Sequence, residues 1–138
     1  MITAVDTSVL LDVFGADPEF GERSADALRA CIAEGSLIAC EAVWAETAAS
    51  FDTTTAAEQA LTGLRIGFSG VDASISLAVG QAWRAYRRAG GTRERVIADF
   101  LVGAHAVACA DRLLTRDRGF YRSYFAALAI LDPSNESE

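Results

Sequence analysis

Five short apolar runs set the frame of this chain: residues 2–5, 37–40, 66–71, 113–115 and 128–131, the third being the weakest. Each is rich in aliphatic or β-branched side chains and too short to be a buried helix. The stretches between them carry apolar residues at helical spacing. Parallel strands need long crossover connections, and helices supply them. The alternation therefore predicts an α/β domain: a mainly parallel central sheet of four to five strands in a three-layer α/β/α sandwich.

The helical stretches have recognisable ends. Asp6 closes the first strand, and Thr7 or Ser8 is placed to cap a short helix over 9–14 that Gly15 stops. Asp17-Pro18-Glu19 reads as a helix start, with Phe20, Ala25, Leu28 and Ile32 as its apolar stripe. After the second strand, a helix turns Val43, Trp44, Thr47 and Phe51 inward and carries Glu46 early in its length. Thr55 to Glu58 fits a capping box. Asp72 opens a long helix that Gly90-Gly91 breaks, its arginines 84, 87 and 88 forming a wet face. The helix carrying Asp99 is apolar almost all round, so burial is expected, with His105 as a satisfied core or interface histidine. Trp44, Trp83 and Phe100 read as core. One domain spans 1–133, and 134–138 is a polar tail expected to fray.

Charge narrows the chemistry. The net charge is −7, and all twelve basic residues are arginine. With no lysine, a P-loop lysine, a Schiff base and the lysine of an aspartyl-phosphate site are all excluded. The acidic total argues against passive nucleic-acid binding but allows a nuclease whose acids hold cations. Cys31, Cys40 and Cys109 lack zinc-site spacing and fit free thiols of a reducing cytoplasm. No apolar stretch is long enough for a membrane span, and the start has no signal-peptide pattern, so a cytoplasmic protein is expected.

The stretch 98–121, ADFLVGAHAVACADRLLTRDRGFY, concentrates the chemistry. It sets Asp99 and Asp117 at the edges of apolar elements, as Asp6 stands at the end of the first strand. Carboxylates at strand ends lie where parallel α/β sheets keep their sites. These three and Glu46 are expected to meet. Clustered carboxylates repel one another unless protons or cations neutralise them. An all-oxygen set selects Mg²⁺ or Mn²⁺, and one or two such ions suit phosphodiester hydrolysis. Taken singly, each acid has a plainer role. Asp6 could be a cap, Glu46 solvated surface and Asp99 a first-turn acid complementing its helix dipole. Asp12, Asp111 and Glu41 suit solvated or capping roles.

Three segments, AVDTSVLLD, AVWAETAA and ADFLVGAHA followed by LLTRDRGFYRSYF, together resemble the PIN-domain ribonucleases of the VapC toxin type over nearly the whole length. The resemblance puts the family's four acids at Asp6, Glu46, Asp99 and Asp117. It implies a PIN-like fold and a Mg²⁺- or Mn²⁺-dependent endoribonuclease, usually a homodimer, inhibited by a VapB-type antitoxin. In that frame Asp6 and Asp99 are the expected direct metal ligands. Asp117 ligates metal or holds a water, and Glu46 closes the cluster or orients the nucleophile. Ser8 and Thr115 hydroxyls would support the ligands by hydrogen bonds. Arg116, Arg118 and Arg122, with Arg93 and Arg95 from the neighbouring loop, would draw in the RNA backbone. Two alternatives stand beside it. One is a catalytically silent PIN-like binding module; the other is an aspartyl-phosphate phosphotransferase using Asp6, which lacks a second Asp at position 8 and any lysine.

Overall fold

The computed structural model describes residues 1–92 and 96–134. Strands β1 (Ile2–Val5), β2 (Ser36–Ala39), β3 (Ile66–Phe68), β4 (Arg112–Leu114) and β5 (Ile130–Leu131) form one sheet in the order β3-β2-β1-β4-β5, every pair parallel. The first strand is thus the middle one. Its Ala4 lies opposite Ile38 on one side and Leu113 on the other. The chain first adds strands outward from β1 in one direction and then returns to add β4 and β5 in the other. That reversal opens a crevice at the carboxyl ends of β1 and β4.

Helices α1 (Thr7–Phe14), α2 (Gly21–Glu34), α3 (Glu41–Ala48), α4 (Thr54–Gly63), α5 (Ala73–Arg88), α6 (Ile97–Cys109) and α7 (Arg118–Tyr124) connect and cover the strands. α6 packs on β1 and β4, and α5 packs on α6. α1 packs against α2 and α3, and α2 against β2. Val9, Leu10, Phe100, Leu113 and Leu114 are completely buried between these layers.

Several ends differ from the sequence reading. The cap of α1 is Asp6, not Thr7 or Ser8: its carboxylate accepts from the Thr7 amide at 2.8 Å. Asp17 caps a separate turn, accepting from the Glu19 and Phe20 amides, and α2 starts only at Gly21. α4 is capped by Thr53, whose hydroxyl accepts from the Ala56 amide, so it begins earlier than the Thr55 box suggests. A run of three threonines offers three similar caps, and spacing cannot choose among them. Asp72 caps α5 as expected, through the Ile75 amide at 2.8 Å. α6 is not buried all round, since Ile97 and Val107 are exposed. Ser134, expected to open the frayed tail, bonds through its amide to Asp132, and its carbonyl accepts from Arg23. The rest of that tail, residues 135–138, lies outside the described residues.

Phe100 is the hub of an aromatic cluster, with Trp83, Tyr86, Phe120 and Tyr124 rings centred 5.2 to 6.0 Å away. Gly103, one turn further along α6, lets the Phe125 ring settle against its backbone; a Cβ there would stand 2.3 Å from that ring. Phe125 is itself buried, so the ring has little room to retreat. Gly103→Ala is therefore expected to cost about 1–3 kcal/mol despite alanine's better helix propensity. A urea midpoint equal to or above wild type would show that the cluster accommodates the methyl.

Candidate active site at the carboxyl end of the sheet

The crevice holds a cavity of about 490 Å³ lined by Asp6, Thr7, Ser8, Leu11, Glu46, Asp99, Arg116 and Asp117. All four acids singled out in the sequence are there. Asp6 arrives at the end of β1, Glu46 from α3, Asp99 from the first turn of α6 and Asp117 just past β4. Glu46 sits in the second half of its helix, not early in it. It lines the crevice where α3 packs on α1, and Thr7 Oγ1 donates to Glu46 Oε1 at 2.9 Å.

Thr115 ties the floor together. It is fully buried, donates to Asp6 Oδ2 at 2.7 Å, and accepts from the Asp117 amide at 3.0 Å. One hydroxyl thus fixes the Asp6 carboxylate and the backbone that carries Asp117. Asp6 Oδ1 is held by the Thr7 amide, and Asp99 Oδ2 by the Val96 amide at 3.2 Å. Ser8 Oγ is buried at the cavity wall and has no hydrogen-bond partner. Of the described arginines assigned to RNA, only Arg116 lines the cavity. Arg118 and Arg122 lie on α7 outside it, and Arg93 and Arg95 fall outside the described residues.

The oxygen-only donor set, with an orphaned hydroxyl at its edge, fits a hard divalent cation. The acids are nonetheless spread around the cavity. Among the described residues, no group of three Asp, Glu, His or Cys side chains stands close enough to hold one ion. The Asp6, Glu46 and Asp99 carboxylates each use part of their capacity on a local donor, and mutual repulsion favours that separation.

Repulsion also registers in protonation. Burial pushes the Asp6 carboxyl up from 3.8 to about 6, and the charges of Asp99 and Glu46 add to the rise; hydrogen bonds from Thr115 and Thr7 oppose it. Between those values the folded chain holds a proton that the unfolded chain has lost. Stability of the metal-free protein therefore falls as pH rises through that window. A cation competes for the same site, so its stabilising effect grows in the same direction. The Tm gain from Mn²⁺ is expected to be larger at about pH 7.5 than at about pH 5. Equal gains at both would remove Asp6 from the binding set.

Three contributors were not marked in the sequence. Thr7 and Leu11 line the cavity. Asp12, assigned there to a solvated or capping role, is instead buried and paired with Arg116, whose guanidinium it holds further toward the charged form. Its signal was present, since i+3 spacing puts Asp12 on the same face as buried Val9. His105 is the satisfied core histidine expected: it meets Ser69 Oγ at 2.9 Å, and burial lowers its pKa.

Comparison with known proteins gives one family and one fold. The PIN domain family matches residues 3–126. The VapBC2 structure from Rickettsia felis bound to a promoter DNA fragment is similar at TM-score 0.74 and 17% identity, over 96% of this chain and 98% of that one. The structure of FitAB bound to an IR36 DNA fragment is similar at TM-score 0.73 and 24% identity, over 100% and 99%. VapBC-1 from nontypeable Haemophilus influenzae is similar at TM-score 0.74 and 16% identity, over 98% and 100%. No curated protein matches the chain.

Proposed function

The chain belongs to the PIN-domain family, and from that premise we propose that it is a metal-dependent endoribonuclease, the toxin of a toxin–antitoxin pair. The observation that carries the reading is the convergence of Asp6, Glu46, Asp99 and Asp117, from four separate segments, on one crevice. One similar structure is a toxin–antitoxin complex from Klebsiella pneumoniae, which supports a VapB-type antitoxin as partner here. A homodimer and a cytoplasmic location go with the same reading. Among the described residues no helix is long and apolar enough to cross a membrane.

Asp6, Asp99 and Asp117 would hold one or two Mg²⁺ or Mn²⁺ ions, with Glu46 closing the set. A bound ion supplies a nucleophilic water at neutral pH and charge stabilisation at the phosphate. The chain's own part is orientation. Thr115 aims the Asp6 carboxylate. Thr7 holds Glu46 at the mouth. Ser8 offers a free buried hydroxyl to whatever enters. Arg116 places a positive charge among the acids, where an RNA phosphate would otherwise be repelled.

One observation favours a second reading. No three of the described acids stand close enough to hold one ion, as a silent PIN-like binding module would also show. Metal removal separates the two. Labelled RNA should be cut in Mg²⁺ or Mn²⁺, left intact in EDTA, and cut again when metal is restored. Cleavage that survives EDTA would overturn the metal-dependent reading; RNA left intact in every metal would favour the binding module.

A further inference from the structure

Arg116 is the one cation among the described residues lining the acid crevice, and it is held more firmly than an ordinary surface arginine. Its Nε donates to Asp12 Oδ2 at 2.7 Å and its Nη2 to Asp12 Oδ1 at 3.0 Å. Two parallel bonds fix the guanidinium plane to the carboxylate plane. The Phe20 ring stacks on the guanidinium, 4.3 Å from its central carbon, a contact that favours the charged group in one pose.

Asp12 is the anchor of this arrangement. It is 4% exposed, and its Oδ2 also accepts from Ser24 Oγ at 2.9 Å. A buried carboxylate needs such full pairing. Asp12 sits on α1 and Ser24 on α2, both outside the residues lining the crevice, so they grip the arginine from behind. Asp12 occupies the Nε edge, leaving the Nη1 hydrogens and one on Nη2 for other partners. The Arg116 side chain keeps 29% of its surface exposed. A loosely held arginine beside four carboxylates would swing onto one of them and occupy a ligand. The fork to Asp12 prevents that.

We propose that Asp12, with Ser24 and Phe20 behind it, is a positioning residue that presents the free edge of Arg116 to the non-bridging oxygens of a phosphodiester in the crevice. The identity of that anion rests on the nuclease reading; the positioning itself is tested separately. The experiment is a double-substitution cycle of Asp12→Asn and Arg116→Gln, alone and combined. Each variant is checked by thermal melting. Then kcat and KM for a labelled RNA are measured in Mg²⁺, and the Kd of the same RNA in EDTA.

Each single substitution is expected to lower kcat/KM by about 10- to 100-fold, as groups that orient active side chains do. The double variant should fall no further than Arg116→Gln alone, because the two act through one group. Losses that multiply, or a folded Asp12→Asn variant within about twofold of wild type, overturn the proposal. If Asp12→Asn does not fold, Ser24→Ala takes its place in the cycle and decides by the same criterion. If the wild-type chain cuts no RNA, the nuclease reading fails, and the cycle read on Kd in EDTA still decides the positioning. Non-additive weakening supports it; additive weakening, or none, overturns it.

Discussion

Asp6→Asn should lose RNA cleavage by more than about 100-fold while the protein remains folded. Removing a group that merely supports a metal ligand already costs 10- to 100-fold, and Asp6 stands at the centre of the crevice. The substitution is nearly isosteric. An asparagine oxygen still accepts from the Thr7 amide, and its NH₂ donates to the second lone pair of Thr115 Oγ. What changes is charge. Asp6 is the acid whose protonation burial and the Asp99 and Glu46 charges disturb. Relieving them is expected to leave the metal-free protein at least as stable as wild type above about pH 6. The result is thus a separation: activity lost, Tm kept or raised, and the metal-induced rise in Tm reduced. Asp99→Asn should behave alike. Cleavage by both variants within about threefold of wild type would remove these carboxylates from the chemistry.

Phe100→Ala should be the most damaging substitution for the fold. Its side chain is completely buried and meets the Trp83, Tyr86, Phe120 and Tyr124 rings edge to face. Emptying such a site costs about 3–5 kcal/mol in lost transfer and cavity. Domains of this size hold roughly 5–15 kcal/mol in total, so much of the stability goes. Phe100 also follows Asp99 directly, and its anchoring fixes the first turn of α6 against the sheet. Activity should fall with stability, whereas Phe100→Leu, which refills most of the volume, should lose less of both. Urea denaturation of the two variants measures the difference. A loss below about 1 kcal/mol for the alanine would mean that the aromatic cluster collapses around the gap.

Much of this is legible in the sequence. Alternating apolar runs specified a parallel sheet, because strands covered on both faces read as continuous apolar stretches. Asp6, Asp99 and Asp117 are legible because each stands where one element hands over to the next; Glu46, deep in α3, is carried by the resemblance of its segment. The arrangement around Asp12 was harder. An acid in an apolar helix is ambiguous until its partner is known, and Arg116 is 104 residues away in sequence. A separation of 39 residues likewise hid the link from Thr7 to Glu46. Glu46 falls later in α3 than its spacing suggests because the helix starts immediately at Glu41, with no loop between it and β2. The start of α4 is ambiguous because neighbouring threonines cap equally well, whereas Asp17 caps a turn of its own that ends before α2 begins at Gly21.

The placement of β1 at the middle of the sheet has a temporal consequence. Its partners on one side, in β2, follow within some 35 residues, but those on the other, in β4, are more than 100 residues downstream. While a ribosome is still making the chain, one flank of β1 must wait with its amides and carbonyls unpaired, an invitation to stray strand pairing. The same delay leaves the acids apart, since Asp99 and Asp117 are both added late. On the nuclease reading, a growing chain therefore lacks its four-acid crevice until β4 has been made and has paired with β1.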